Sequence, residues 1–495
     1  MRGDNVANGD RLMTRREFLM ALGGVALIGI GGYPLIRNFL PGISAPMAIP
    51  EHPTVQWNGS VKTFLFNISR GNVSLSNGSS FDGYLINSQF PGPTIRVREG
   101  DKVRITVNNH LGQPTTLHWH GVNVPSPMDG VPGISRDPIQ PGGSFIYEFV
   151  AGPSGTRWYH SHVFEMDQIT NGLFGALIID PVNQNEPYPV SREATLVFST
   201  WGYQSGIDYG MQSSGGMGQM MTGGRNMTSS SLGLIHLING DLSTALKPMV
   251  IRPGEKVRLR LINASGTESY WFTMDGSFLV THTDGNPLSS PVPVSDLYIA
   301  PAERYDIVVT PPQTGKWYLR SKMGGQEGVV IPFVTDGAVT TLPTSGNSWS
   351  YSSASSGQGK LGKVNQNFAL TLSGGMMMGA NWTINGQSYP NTAPLRIQRG
   401  DRVRIEMRNM SMMEHPMHLH GHSFEITSFN GKVLSRPLVK DVINLRPMER
   451  CTIDLLANNP GNWFFHCHNL QHMRDGLATV VEYADYPIPH VDKWM

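Results

Sequence analysis

Cysteine is the scarcest residue in the sequence: only two occur among 495 residues, which excludes a fold held together by a disulfide framework. Charge is also sparse, because Asp, Glu, Lys and Arg make up 15% of the chain, against roughly 25% in average domains. A net charge of +1 without a basic block argues against binding to nucleic acid or to an anionic membrane. Glycine (56) and proline (35) are abundant, so we expect a folded, turn-rich β protein.

The N-terminal segment resembles a twin-arginine (Tat) export signal. Arg15 and Arg16 are followed by an apolar run over residues 18–36. Cleavage in the proline-rich stretch near Ala48 and retention as a membrane anchor both stay open. Either outcome predicts a periplasmic or extracellular location for the folded part.

An internal repeat divides the rest of the chain. The pattern of residues 97–105 recurs at 251–259 and at 397–405, each time as a glycine turn that leads into alternating apolar and basic residues, which predicts a half-buried strand. A second landmark recurs too, at Trp158, Trp317 and Trp463, each shortly after a turn that contains glycine. These repeats predict a signal and linker over 1–49 and three units over 50–185, 186–345 and 346–495. Short strands separated by Gly, Pro and Asn turns predict a Greek-key β-barrel or sandwich in each unit.

Histidines occupy equivalent positions in the first and third units. His118-Trp119-His120-Gly121 corresponds to His418-Leu419-His420-Gly421, and His160-Ser161-His162 corresponds to His466-Cys467-His468. The middle unit has Thr273-Met274-Asp275-Gly276 and Leu319-Arg320-Ser321 instead. We therefore expect the chemistry at a face shared by units one and three, with unit two as a spacer.

Histidines that alternate along a strand point to the same face, where they can share a metal. Imidazole suits Cu, Zn, Fe or Ni, and a cysteine with two histidines is the ligand set of a blue-copper site. Cys467, with His415 and His472, supplies that set. A structural zinc site would require paired cysteines, which the sequence lacks. Copper is therefore the predicted metal.

These four motifs resemble those of the multicopper oxidases, a family that includes laccases, bacterial cuprous oxidases and copper-resistance proteins. The resemblance covers the chain after residue 50 and implies three cupredoxin-like domains that hold four copper ions. By this resemblance, the type 1 ligands are His415, Cys467 and His472. The type 2 ligands are His118 and His418. The type 3 ligands are His120, His160, His162, His420, His466 and His468.

The family's reaction gathers four electrons, one at a time, and reduces O2 to water, so an acid near the cluster is expected. Asp129 matches an acidic position of bacterial relatives, although Asp129-Gly130 is also an ordinary turn pair. Leu477 takes the axial type 1 position, where many bacterial members have methionine, which implies a higher potential. Met473 stands where some bacterial members carry glutamate, which leaves a second proton donor unassigned.

Methionines indicate a second class of substrate. Thioethers select Cu(I), and a Gly/Ser-rich stretch carries a group that we expect to capture it: Met211, Met217, Met220, Met221 and Met227. A further group, which includes Met412 and Met413, adjoins His415. The alternative for such residues is adaptable packing.

The expected partners are O2 as acceptor and phenols, aromatic amines or Cu(I) as donors, with the protein a monomer. Two alternatives lie outside this reading: a copper-free exported scaffold on the same fold, and a copper nitrite reductase. Intact ligand motifs disfavour the first, and paired histidines in a chain of three units disfavour the second.

Overall fold

The computed structural model describes residues 61–182, 187–201, 234–323, 326–339, 346–356, 363–375 and 381–486. Strands dominate these ranges, which confirms the all-β prediction; the α-helices are α1 (Glu165–Thr170) and α2 (Leu470–Arg474). Short 3-10 helices cover Ser126–Met128, Ser243–Ala245 and Tyr351–Ser353. Within the described part of the chain, no helix is long and apolar enough to cross a membrane. The predicted export signal and the methionines of 211–227 lie outside the described residues.

Residues 61–182 form two four-stranded sheets. Their strands are β1 (Val61–Ser74), β2 (Ser80–Ile86), β3 (Ile95–Arg98), β4 (Lys102–Asn109), β5 (His118–His120), β6 (Ser144–Val150), β7 (Gly155–His160) and β8 (Phe174–Asp180). The strand orders are β2-β1-β4-β6 and β3-β8-β7-β5. One apolar core, which includes Phe66, Ile105, Trp119 and Leu177, fills the space between the sheets. This is the sandwich that the turn-rich pattern predicts.

The middle part of the chain builds one eleven-stranded sheet. Its strands are β9 (Arg192–Trp201), β10 (Ile235–Ile238), β11 (Asp241–Leu242), β12 (Met249–Val250), β13 (Val257–Asn263), β14 (Tyr270–Thr283), β15 (Asn286–Ile299), β16 (Arg304–Val309), β17 (Gly315–Met323), β18 (Gln326–Thr335) and β19 (Asn347–Ser348). The main path runs β11-β10-β9-β13-β16-β14-β17-β18-β12, and β15 joins β14 to β19.

The last part repeats the two-sheet arrangement of the first. Its strands are β20 (Gln366–Ser373), β21 (Thr383–Ile384), β22 (Leu395–Ile397), β23 (Arg402–Asn409), β24 (His415–Leu419), β25 (Phe424–Phe429), β26 (Lys432–Lys440), β27 (Val442–Leu445), β28 (Arg450–Leu456), β29 (Asn462–Cys467) and β30 (Ala478–Tyr483). The sheet orders are β21-β20-β23-β28-β25-β26 and β22-β30-β29-β24-β27. Parallel pairs occur at matching places, β1 with β4 and β20 with β23.

The repeated sequence pattern forms a strand in all three parts, as β4, β13 and β23. Burial alternates along most of β4 and β23, as predicted, but β13 is buried along its whole length. The reason lies in Arg258 and Arg260, whose side chains are covered rather than solvated. Arg260 is ion-paired with Asp306 and Glu193. In the middle unit, the basic residues that alternate along this strand are therefore part of the buried interior.

An apolar cluster lies where the three parts of the chain meet. It combines Trp158, Ile262, Val442 and Phe464, so each part contributes to one buried core. Burying such side chains stabilises by roughly 25 cal/mol per Å² of apolar surface removed from water. This shared core includes Trp158 of β7 and Phe464 of β29, two of the strands that carry the histidine motifs.

Candidate metal centre

Strand pairing brings the histidine motifs of each unit together. His118 lies opposite His160 in the antiparallel pair β5–β7, and His418 lies opposite His466 in the pair β24–β29. Because side chains alternate along a strand, Cys467 points to the opposite side of its sheet from His466. One sheet therefore carries two different groups of candidate ligands, one on each side.

The structure brings together His415, Cys467 and His472, the residues that the family resemblance assigns to type 1 copper, and we call this group the mononuclear site. The Nδ1 atoms of His415 and His472 are 3.1 Å apart, and Cys467 Sγ lies 3.7 and 3.8 Å from them. His415 Nε2 is 2.8 Å from Ser411 Oγ, and a ring proton donated to that oxygen leaves Nδ1 free to bind a metal. Trp382 packs against both rings, with centroid distances of 4.8 and 4.2 Å.

Leu477 is fully buried beside this site and is joined to it through the backbone. The Cys467 amide donates to the Leu477 carbonyl at 3.0 Å, and the Leu477 amide donates to the His472 carbonyl at 2.9 Å. Met473 is buried with Leu470 and Phe464 in the shared core where the three parts of the chain meet, so its thioether serves as packing. The hydrocarbon surroundings limit the access of water to the mononuclear site.

The other eight histidines form one buried cluster, which we call the eight-histidine cluster. Its members are His118, His120, His160, His162, His418, His420, His466 and His468. Ring nitrogens face one another in pairs: the Nε2 atoms of His118 and His418 are 3.5 Å apart, and those of His420 and His466 are 3.0 Å apart. His160 Nε2 is 3.4 Å from both His120 Nδ1 and His468 Nε2. Ligands from the first and third units therefore converge.

Hydrogen bonds fix which nitrogen of several rings is free. A carbonyl oxygen can only accept, so the Nδ1 atoms of four rings must donate, and their Nε2 atoms keep a lone pair. Each ring donates to a backbone carbonyl: His118 to that of Asp129 (2.9 Å), His160 to that of Ser161 (2.8 Å), His418 to that of Asp441 (2.9 Å) and His466 to that of Cys467 (3.0 Å). The arrangement is the one that metal-binding imidazoles adopt, with the second nitrogen held by an acceptor.

Three carboxylates surround the cluster. Asp129 Oδ2 accepts from His420 Nδ1 at 2.8 Å, and its Oδ1 lies 3.1 Å from His118 Nδ1. Glu165 Oε1 lies 2.7 Å from His162 Nδ1, and Asp441 Oδ1 accepts from His120 Nε2 at 3.2 Å. Asp129 was among the sequence candidates, whereas Glu165 and Asp441 were missed. A signal for Asp441 existed, because Lys440-Asp441 interrupts an otherwise apolar stretch from Leu438 to Ile443.

Burial keeps these imidazoles neutral. It lowers the pKa of His415 to about 2, that of His468 to about 3 and that of His472 to about 4. Burial also lowers the pKa of other cluster members well below the ordinary value of 6.5: His120, His160, His418, His420 and His466. Neutral imidazole is the form that binds a metal. Burial raises the pKa of the Cys467 thiol, so only a bound cation stabilises its thiolate.

The donor set fits copper. Five groups of three side chains have ligand atoms within 4.8 Å of one another, and these groups draw on ten predicted ligands, all except His468. Among the described residues, His162 Nε2 is buried without a hydrogen-bond partner, a state that a bound metal ion would relieve. Imidazole with thiolate is a soft donor set that suits copper.

The remaining histidine near the cluster and the second cysteine have structural surroundings. His422 Nε2 is 2.8 Å from Tyr483 Oη, and its Nδ1 is 3.2 Å from the His420 carbonyl. Cys451 and Cys467 are both free, as expected if Cys467 binds a metal. Cys451 pairs with Met407 across strands β28 and β23, and both side chains are buried, as packing residues are.

Known proteins resemble this chain along most of its length. Multicopper oxidase family profiles match residues 67–184, 213–347 and 363–486. Multicopper oxidase MmcO of Mycobacterium tuberculosis is 32% identical over an alignment that covers 79% of this chain and 81% of that protein. Copper resistance protein A of Escherichia coli is 26% identical over an alignment that covers 94% of this chain and 98% of that protein.

Solved structures agree with the sequence relatives. The crystal structure of a multi-copper oxidase from Pseudomonas thermotolerans matches with a TM-score of 0.66 and 26% identity, over 86% of this chain and 99% of that chain. Fet3p, a multicopper oxidase that functions in iron import, matches with a TM-score of 0.71 and 23% identity, which shows the shared fold. It covers 86% of this chain and 91% of that one. The chain is therefore a copper-binding oxidoreductase, and it belongs to the multicopper oxidase family.

Proposed function

We propose that the protein takes single electrons from a donor at the mononuclear site and uses four of them to reduce O2 to water at the eight-histidine cluster. His415, Cys467 and His472 hold the type 1 copper, His118 and His418 hold type 2, and the remaining six histidines hold the type 3 pair. Bound copper supplies the one-electron redox chemistry that these side chains lack.

The observation that carries this proposal is the position of Cys467 between two cluster histidines. Its thiol belongs to the mononuclear site, while the adjacent His466 and His468 belong to the cluster. A continuous covalent path therefore joins the sites. His466 Nδ1 adds a second path, because it donates to the Cys467 carbonyl at 3.0 Å.

Asp129 is the residue best suited to handle protons for the reaction. Its carboxylate is buried and contacts His118 from the first unit and His420 from the third unit. A buried carboxylate held in this way orients both rings and lies close enough to exchange a proton with a group bound between them. This supports the proposed acid–base function of Asp129.

Exposed methionines beside the mononuclear site support Cu(I) as one donor. Met412 and Met413 are 73% and 50% exposed, just before His415, and Met448 is 55% exposed. Met448 lies on a turn next to the segment that precedes His415, because the amide of Asn409 in that segment donates to the carbonyl of Glu449, the residue after Met448. Exposed thioethers are accessible to a soft cation, and Cu(I) is the one that they select.

Phenols and aromatic amines are the second class of proposed donor. Buried Leu477 leaves no thioether at the axial position, which favours a higher potential and therefore oxidation of aromatic donors. The two classes of donor are compatible, because each needs only an electron path to His415, Cys467 and His472. The twin-arginine pattern, which lies outside the described residues, supports a location outside the cytoplasm.

Oxygen uptake by the copper-loaded protein tests the proposal. Cu(I) and a simple phenol are compared by kcat/KM, with the copper content and the blue absorption measured on the same sample. Uptake with either donor at a ratio of four electrons per O2 supports the reaction, and the ratio of kcat/KM values identifies the preferred donor. Full copper loading without uptake from either donor would contradict the proposed function.

A further inference from the structure

A buried arginine from the middle part of the chain reaches the surroundings of the eight-histidine cluster. Arg304, the first residue of β16, is fully buried. Its Nη1 and Nη2 atoms donate to Asp441 Oδ1 and Oδ2, both at 2.6 Å. Two parallel bonds of this kind fix both the position and the plane of a carboxylate.

Asp441 connects this arginine to histidines of both copper-binding units. Its Oδ1 accepts from His120 Nε2 at 3.2 Å, and its backbone carbonyl accepts from His418 Nδ1 at 2.9 Å. The first bond leaves His120 with Nδ1 free, and that atom faces His160 Nε2 at 3.4 Å. His120 is thus oriented opposite to its cluster neighbours, whose Nε2 atoms face inward, and Asp441 is the group that orients it.

A second carboxylate holds the backbone on which Asp441 stands. Asp284 Oδ2 accepts from the amides of Asp441 and Val442 at 3.1 and 3.0 Å, and its Oδ1 accepts from the Arg304 amide at 3.0 Å. Arg157 Nη1 lies 3.3 Å from Asp441 Oδ2. Every one of these groups is buried, so removing one partner leaves an uncompensated polar or charged group.

The space around this contact is filled. A Cβ atom added to Gly121 would lie 2.5 Å from Arg304 Nη2 and 2.7 Å from Asp441 Oδ2, and Gly121 also has a φ of +80°. The glycine that follows His120 therefore allows the arginine and the aspartate to approach the chain beside that histidine. This independent observation shows that the local sequence accommodates the ion pair.

We infer that Arg304 is a positioning residue for the copper cluster: it holds Asp441 so that His120 presents Nδ1 to the metal. The middle unit is then more than a spacer, because it supplies the group that sets the orientation of one ligand ring. The inference rests on the proposed function, specifically on His120 as a copper ligand. Metal-binding histidines usually need such an acceptor on the second nitrogen, and losing it costs about 10- to 100-fold in metal affinity or activity.

Arg304→Lys tests the inference, with Arg260→Lys as the matched control. Arg260 is also a buried arginine of the middle sheet, ion-paired with Asp306 and Glu193, but among the described residues it is hydrogen-bonded neither to Asp441 nor to a cluster histidine. Lysine keeps the charge at both positions and removes the two-pronged contact. Copper content, the blue absorption, the paramagnetic resonance of the cluster and the Tm of the metal-free protein are measured for each.

Arg304→Lys should keep the blue absorption and bind cluster copper at least about ten-fold more weakly than the original protein. Arg260→Lys should lower Tm by a similar amount and keep full cluster copper. Equal cluster affinity in Arg304→Lys and the original protein would overturn the inference, and so would equal loss in both variants. Asp441→Asn is interpreted in the same way if Arg304→Lys does not fold. Failure of the unsubstituted protein to load the cluster would instead contradict the proposed function.

Discussion

The two candidate copper sites lie on opposite sides of one sheet but have different surroundings. At the mononuclear site, His415 and His472 contact each other and the ring of Trp382, and His415 also contacts the Ser411 hydroxyl. Within the described part of the chain, no carboxylate is hydrogen-bonded to either ring. Around the eight-histidine cluster, by contrast, three carboxylates contact ring nitrogens: Asp129, Glu165 and Asp441.

This difference fits the division of chemical work in the proposed function. A site that only passes electrons benefits from an apolar, rigid environment that excludes water and other charges. A site that reduces oxygen also consumes protons and changes its charge, so it needs groups that exchange protons and fix tautomers. The contrast is visible within a few residues, since Cys467 and His466 are neighbours in sequence yet face the two environments.

Removing the thiol should separate the two sites most completely. Cys467→Ser is expected to abolish the blue absorption and all donor oxidation, because the hydroxyl does not replace the thiolate ligand. The cluster should retain its copper, since none of its side chains is changed. Absorption and paramagnetic resonance spectra, with copper analysis, check both statements. Cys451→Ser, at the other buried thiol, should remain blue and active; a blue Cys467→Ser protein would refute the assignment.

Acid should destabilise the metal-free protein mainly through the cluster. Six cluster histidines and two mononuclear ones have a pKa lowered by burial, so unfolding takes up protons below about pH 6.5. Stability is therefore full above that pH and decreases as the pH falls towards the folded pKa values. With a pKa of about 3, His468 alone costs on the order of 3 kcal/mol at pH 4.

Urea unfolding at pH 7 and pH 4.5 measures this effect. The midpoint of the metal-free protein should fall steeply, and His468→Gln should reduce the fall. Copper-loaded protein should resist the same change at pH values where copper stays bound, because bound metal blocks protonation of its ligands. A midpoint that is unchanged between the two pH values would show that these imidazoles are not held neutral.

Asp129→Asn tests whether the carboxylates distinguish the two sites in function. Reoxidation by O2 should slow by about 100-fold, the usual range for losing a general acid. Reduction of the blue site by a donor under nitrogen should keep its rate, since the histidines that Asp129 contacts belong to the cluster. Stopped-flow absorption separates the two half-reactions. Asp101→Asn, at a buried turn carboxylate bound to the Arg98 amide, is the control; equal slowing of both half-reactions would argue against a proton function.

The candidate copper ligands could be identified from the sequence because their histidine motifs repeat at equivalent positions of related units. The sequence could not predict Arg304 or Glu165 as neighbours of the cluster. The contact of Arg304 with Asp441 depends on the packing of three distant segments, and Glu165 reaches His162 through the start of helix α1. The buried face of β13 was missed for the same reason, since its covering groups come from other strands. The periodicity of a strand predicts which face of the sheet a side chain occupies. It does not predict which charged residue from a distant part of the sequence will contact that side chain.

The smallest expected effect concerns the choice of donor at the mononuclear site. Replacing both Met412 and Met413 by leucine keeps apolar volume but removes the thioethers, so kcat/KM for Cu(I) should fall by less than about ten-fold. The value for phenol should not change, because Cys467 and both imidazoles are intact. Met407→Leu, at a buried position, is the control and should leave the ratio of the two values unchanged.

Deleting 211–227 extends the same test to the methionines that lie outside the described residues. If both groups capture Cu(I), the deletion and the double substitution should each lower Cu(I) oxidation more than phenol oxidation. Equal losses of Cu(I) and phenol oxidation would show that these methionines do not capture Cu(I) and serve only as packing residues. A selective loss would mean that the mononuclear site, whose two rings have no carboxylate partner among the described residues, relies on sulfur to bring Cu(I) within reach of His415.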